Sequence, residues 1–212
     1  MSSHPESPVT SGRVPAFIDA RRSIRAFTPE PVAEADLDRL VEAACTAPAP
    51  HHSRPWRFVT VTTAASKQAL ADGMGEAWRA DLTADGVDAT QVDDLVERSR
   101  HKLLNAPALV LGCLTWDGLD RYPDPKRQRA EWGMALLSLG AAVENLMLAA
   151  AADGLASCWV AAPIFCPEAA RDALELDPEW LPHALVLVGH PDAAYVGRPR
   201  PPIPLDELRA RR

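Results

Sequence analysis

Apolar residues recur at helical spacing in four places along the chain. Leu37, Leu40, Val41 and Ala44 follow the i, i+3, i+4, i+7 pattern and predict an amphipathic helix over 32–46, ended by Pro48 and Pro50. Leu70, Met74, Ala77 and Trp78 predict a helix over 66–82, and Val92, Leu95, Val96, Ser99 and Leu103 another over 91–104. From Arg129 to Asp153 the pattern predicts one long helix, apolar almost all round from Met134 onward, with Gly154 as its closing residue. Such a helix has to be covered on every side, by its own fold or by a second copy of the chain. A shorter helix is expected near 168–176, and another from Pro15 to about Arg22.

Strand-length runs lie between these helices. Phe58 to Thr62 alternates with β-branched residues, and Ala108 to Thr115, Ser157 to Ala162 and Ala184 to Gly189 are short apolar runs. The sum predicts an α+β domain, a small sheet packed by several helices around one apolar helix. Residues 1–14 read as a disordered tail, 15–196 as the single domain, and 197–212 as an extended Pro- and Arg-rich arm.

Charge narrows the choice of partner. The chain of 212 residues has 22 Lys+Arg against 29 Asp+Glu, a net charge of −7, which argues against a general nucleic-acid binder. The imbalance is local. Residues 66–99 carry eight acids against three bases, whereas 13–25 carry four arginines against one acid and 196–212 five arginines against two acids. Two basic islands on an acidic chain favour local anion sites. The four cysteines (Cys45, Cys113, Cys158, Cys166) form no Cys-x-x-Cys pair and read as buried, inert thiols. The first 14 residues lack the apolar core of a signal peptide, and Glu144 and Asn145 make Met134–Ala152 a poor membrane span, so the chain is read as cytoplasmic.

Three segments could carry chemistry. Arg21, Arg22, Ser23, Ile24 and Arg25 place three guanidinium groups and a hydroxyl within five residues, which suits a phosphate. A solvated helix end would have the same composition. Pro48, Ala49, Pro50, His51, His52, Ser53 and Arg54 form a proline-stiffened loop, shaped either for a planar or anionic ligand or as a turn with Trp56 in the core. Adjacent histidines in an extended segment point to opposite sides, so no metal site is expected there. The arm with Arg198 and Arg200 either docks near an anion or stays disordered. No Gly-x-Gly-x-x-Gly follows a strand, and there is no Walker loop, His-Glu-x-x-His or Gly-x-Ser-x-Gly. Any chemistry therefore belongs to a bound cofactor rather than to a catalytic side chain, and no catalytic residue is named.

Taken in order, Arg-Arg-Ser-Ile-Arg-Ala-Phe (21–27), Ala-Pro-x-x-His-His-x-x-Pro-Trp-Arg-Phe (47–58), Gly-Leu-Ala-Ser-Cys-Trp-Val (154–160) and Arg-x-Arg (198–200) resemble the FMN-dependent nitroreductase family. The coverage runs from about residue 15 to about 200. Within the family the chain looks most like the C-terminal flavin domain of bifunctional coenzyme F420:L-glutamate ligases. That likeness rests on Ala-Trp-Arg-Ala-Asp-Leu (77–82), Asp117-Gly118, Tyr122-Pro-Asp and Ile164-Phe165. Many family members have Ser and Asn where this chain has Ala49 and His52; the F420-ligase branch shares the present form.

The resemblance implies a mixed sheet and a homodimer holding FMN at its interface, with the apolar helix packed there. It implies that Arg21, Arg22, Ser23, Ile24 and Arg25, with Arg198 and Arg200, hold the FMN phosphate and ribityl chain. Pro48, Ala49, Pro50, His51, His52 and Arg54 would come from the partner subunit, and Val160, Ala161 and Ala162 would meet the isoalloxazine edge. Trp78, Arg79 and Asp81 would lie over the flavin face and bind substrate. The implied reaction is reduction of dehydro-F420-0, a step in coenzyme F420 biosynthesis, without glutamate ligation. An NAD(P)H-dependent nitroreductase or quinone reductase, and a non-catalytic flavin or F420 carrier, remain open beside it.

Overall fold

The computed structural model describes residues 18–196 and 200–212. The tail expected over 1–14, the start of the helix expected at Pro15, and Arg198 lie outside the described residues. In chain order the elements are α1 (Glu34–Cys45), β1 (Trp56–Val61), α2 (Ala64–Ala84), α3 (Ala89–Asn105), β2 (Ala108–Leu114), α4 (Pro125–Ala152), β3 (Ala156–Val160), α5 (Pro167–Ala173), β4 (Leu181–Gly189) and α6 (Leu205–Leu208). Short 3-10 turns occupy Pro50–His52 and Ala162–Phe165.

The α+β expectation holds. The four strands pair in the order β1-β2-β4-β3, and every pair is antiparallel. The parallel component that a mixed sheet needs is confined, among the described residues, to one bridge between Ser23 and Ser157. Helices cover both faces of this sheet, which is why β2 and β4 read as continuous apolar runs rather than as alternating ones. Val110 and Leu114 of β2, with Val186 and Val188 of β4, face a cluster built by Leu37 and Leu40 of α1 and Leu139, Val143 and Leu146 of α4. Leu109, Leu111 and Cys113 of β2, with Leu185 and Leu187 of β4, face Leu70 and Met74 of α2 and Leu103 of α3. The core is thus organised on the two sides of the sheet and not around the long helix.

Helix boundaries follow local chemistry. Thr63 caps α2 by accepting from the Ser66 amide at 3.1 Å, and Asp88 caps α3 by accepting from the Thr90 amide at 3.0 Å. Asp124 caps α4 by accepting from the Arg127 amide at 2.9 Å, with Pro125 at the first helical position. At the other end Gly154 has φ +73°, and the Leu155 amide donates to the Ala150 carbonyl at 2.8 Å. This is the six-to-one bond of a Schellman closure, which needs a residue free of a Cβ penalty in the left-handed region.

Helix α4 is long and apolar enough by length and composition to cross a membrane, with mean hydropathy 1.6 over its most apolar stretch. Here it is the core helix of one face, and Ala135, Leu139, Ala142, Val143, Leu146 and Ala150 are buried. It is not covered all round. Leu137 is 77% exposed and Met134 37% exposed, and an added Cβ at Gly133 or Gly140 would meet open space.

Candidate active site

The arginine segment leaves a helical turn at Ile18–Ala20 and runs along the free edge of β3. The Ile24 amide donates to the Ser157 carbonyl at 3.0 Å, and the Thr28 amide to the His190 carbonyl at 2.9 Å. These bonds pin residues 23–28 against the ends of β3 and β4. Close approach at Gly189 helps: a Cβ there would lie 2.7 Å from Pro107 Cδ and 2.9 Å from Phe27 Cδ1.

Pinning the segment opens a cavity of about 670 Å³ lined by Arg21, Arg22, Ser23, Arg25, Tyr195, Val196 and Arg200. Arg200 docks on the segment: its guanidinium donates to the Arg21 carbonyl at 3.0 Å and contacts Asp19 Oδ1 at 3.3 Å. Arg21 Nε donates to Glu144 Oε1 at 3.0 Å, across from α4, while Arg21 Nη1 is buried with no hydrogen-bond partner among the described residues. A buried guanidinium nitrogen without a partner is costly, and an anion in the adjoining cavity would satisfy it. Three further guanidinium groups line the same space, so the donor set fits a phosphate ester such as that of FMN. Ile24 is half-buried and enters through its backbone.

Arg25 also faces a second, smaller cavity with His101 and Lys102, near the C-terminal end of α3. Burial pushes the Cys158 thiol up, while the nearby charges of Arg25 and Lys102 pull the other way. Lys102, Tyr195 and Glu144 are not marked as site residues by the sequence. Lys102 lies just past the acidic segment 66–99, in a helix recognised only by its apolar spacing, and nothing in the linear order brings Glu144 to Arg21.

The loop expected to be extended is instead a 3-10 turn. His51, His52 and Arg54 have φ of 55°, 53° and 48°, a left-handed run in non-glycine residues. Strain of this kind costs on the order of 1–3 kcal/mol per residue and concentrates at functional sites. Gly118 sits beneath it: a Cβ there would lie 3.1 Å from the Ser53 carbonyl oxygen. Arg57 anchors the loop's exit by donating to Asp117 Oδ2 at 2.6 Å. Of the two histidines, His51 lies 3.9 Å from Asp120 Oδ2, and buried Glu131 accepts from the Asp120 amide at 3.2 Å. The histidines therefore do not act as a pair. Within this chain, Pro48, Ala49, Pro50, His51, His52 and Arg54 do not line the arginine cavity.

Val160 ends β3, Ala161 starts the following turn, and Ala162 faces a third cavity of about 410 Å³ between that turn and helices α2 and α3. Trp78 and Asp81 line it, joined by Met74, Asp85, Leu103 and Phe165. Arg79 does not; its guanidinium is ion-paired with Asp93 of α3, on another face of the helix pair. The substrate expectation thus keeps Trp78 and Asp81 as cavity residues and loses Arg79, because successive helical positions point about 100° apart.

The chain belongs to the Nitroreductase family, whose model matches residues 18–190. It is similar to a 5,6-dimethylbenzimidazole synthase of Rhodospirillum rubrum, at 28% identity over 182 residues, covering 83% of this chain and 81% of that protein. It is also similar to YfhC of Bacillus subtilis, assigned as an NAD(P)H nitroreductase, at 26% identity over 190 residues, covering 88% of this chain and 89% of the other. The fold is shared with a nitroreductase with bound FMN from Bacteroides fragilis, with TM-score 0.69 at 23% identity, covering 91% of this chain and 95% of that one.

Proposed function

We propose that the chain is an FMN-dependent reductase of the NAD(P)H nitroreductase type, working as a homodimer in the cytoplasm on small planar acceptors. The observation that carries this reading is a cavity lined by four arginines, with Arg21 Nη1 buried and unpartnered among the described residues, in a chain of this family. Relatives assigned as NAD(P)H nitroreductases support the donor. None of the relatives named above concerns coenzyme F420, so the nitroreductase reading replaces the F420-linked one as the main proposal. The exposed strip of α4 around Met134 and Leu137, open beside Gly133 and Gly140, supports pairing of two copies along that helix. Free thiols at all four cysteines suit a reducing compartment.

FMN, when bound, supplies two-electron transfer between the nicotinamide donor and the acceptor. The chain's part is positional. Arg21, Arg22, Arg25 and Arg200, with Ser23, would hold the phosphate and ribityl chain, and the backbone at Val160, Ala161 and Ala162 would border the ring. Trp78 and Asp81 would line the acceptor space, and the strained 48–54 loop would close the site from the partner subunit. A proton for the acceptor can come from water, since no side chain of the cluster is a dedicated acid.

The test is to reconstitute the chain with FMN and to follow oxidation of NADH and NADPH with a nitroaromatic, a quinone and dehydro-F420-0 as separate acceptors. Turnover of the first two, with none of dehydro-F420-0, is expected. A chain that does not take up FMN contradicts the proposal, and reduction of dehydro-F420-0 alone restores the displaced reading.

A further inference from the structure

The cavity between α2, α3 and the Ala162–Phe165 turn has an uneven composition. Its walls are apolar, from Met74, Trp78, Leu103 and Phe165, and its charged groups are two carboxylates, Asp81 and Asp85. Among the described residues, no basic side chain lines it. Of the basic groups on the two helices, Lys102 faces the other cavity, with Arg25. Arg79 pairs with Asp93, Arg100 with Asp72 and Glu97, and Lys67 donates to the Ala106 carbonyl at 2.9 Å. The field is felt at the inner wall: burial raises the Cys166 thiol, and Asp81 and Glu168 raise it further.

Asp81 and Asp85 are both exposed, so their charge reaches a ligand in the cavity through partial screening and acts most strongly at low ionic strength. An anion entering this cavity would lose hydration and gain no cationic partner, whereas a flat uncharged ring loses little and a cation gains two counter-charges. Trp78, 37% exposed, offers an aromatic face for either of the last two.

We infer that this cavity selects acceptors by charge, admitting uncharged and cationic planar aromatics and rejecting those that carry phosphate, sulfonate or carboxylate groups, with Asp81 and Asp85 as the specificity-determining residues. The inference rests on the functional reading above for its role in acceptor choice. Ala162 connects the two, since it both lines this cavity and belongs to the segment bordering the flavin ring in that reading. Asp85 is new to the site; it lies one residue past α2, outside the helix that the sequence pattern marked.

Three probes of similar ring size separate the charge classes: N-methylquinolinium, quinoline at mildly alkaline pH, and naphthalene-2-sulfonate. Each is titrated calorimetrically at low ionic strength into the FMN-loaded chain and into its Asp81→Asn/Asp85→Asn variant. The wild-type chain is expected to bind the quinolinium at least about tenfold more tightly than the sulfonate, a gap that salt narrows. In the double variant the ratio falls below roughly threefold, while quinoline affinity moves little, as expected if the pair acts through charge. Sulfonate binding as tight as quinolinium binding overturns the inference, as does an unchanged ratio in the variant or no binding by any probe. Should the double variant fail to fold, Asp81→Asn and Asp85→Asn singly must each narrow the ratio. The cavity is separate from the arginine cluster, so the titration also decides the matter on a chain that takes up no FMN. That result would contradict only the functional reading.

Discussion

Arg21 and Glu144 stand 123 positions apart in the chain, yet Arg21 Nε donates to Glu144 Oε1 at 3.0 Å. The contact fastens the arginine segment to the core helix α4, while Nη1 is buried with no partner among the described residues. Glu144 therefore has two opposed effects on an anion in the cavity: it orients a guanidinium and adds a negative charge nearby.

The two effects separate by substitution. Glu144→Gln keeps an acceptor for Nε and removes the charge, so FMN binding should tighten, by roughly two- to fivefold for a half-exposed pair. Glu144→Ala removes both and should loosen FMN binding. Fluorescence titration of FMN against the two variants checks the split. If both change affinity in the same direction, Glu144 does not position Arg21.

Gly189 couples the sheet to the same segment. A methyl group there meets Pro107 and Phe27 at distances no real Cβ tolerates, so either the strand end or the 26–28 segment has to shift. Gly189→Ala should destabilise the domain by about 1–3 kcal/mol. In a chain of this size that lowers Tm by roughly 2–4 °C per kcal/mol. FMN affinity should fall with it, because Phe27 lies two residues after Arg25 on the same pinned segment. A variant with unchanged Tm and unchanged affinity would show that the segment is not clamped.

His183 gives a pH signature. Its side chain packs against Trp132, with ring centroids 5.6 Å apart, and burial lowers its pKa despite the hydrogen bond with the Leu181 carbonyl. The unfolded chain then binds a proton that the folded one resists, so stability is complete above the unfolded pKa of about 6.5 and falls as pH drops below it. Thermal unfolding followed from neutral to mildly acidic pH should show a drop that His183→Gln reduces. An identical drop in the variant would assign the loss to other groups.

The fold was largely legible because its strands and helices carry strong local signals. Leu37, Leu40 and Ala44 mark α1 by spacing alone, and Gly154 marks the end of α4 by its backbone freedom. What the linear pattern hides is which elements share a layer. The apolar α4 looked like the centre, but Val110, Leu111, Val186 and Leu187 show that the sheet is. Site residues were legible where chemistry is concentrated, as in Arg21–Arg25. They were hidden where a single residue acts from a distant element, as with Glu144 and Lys102. Arg79 lies outside the cavity that Trp78 lines, because adjacency in sequence does not mean a shared helix face. The left-handed backbone at His51, His52 and Arg54 has no composition signal, since none is glycine.

The central claim is that the arginine cluster holds a phosphate, and FMN and riboflavin differ by that group alone. Parallel titrations of the chain with both ligands test it, repeated on Arg21→Ala and Arg22→Ala. FMN should bind more tightly than riboflavin by at least about 1.5–3 kcal/mol, the worth of a charge-assisted hydrogen bond, and each substitution should close much of that gap. Equal affinity of the chain for riboflavin and FMN, or a gap that survives both substitutions, would contradict the account.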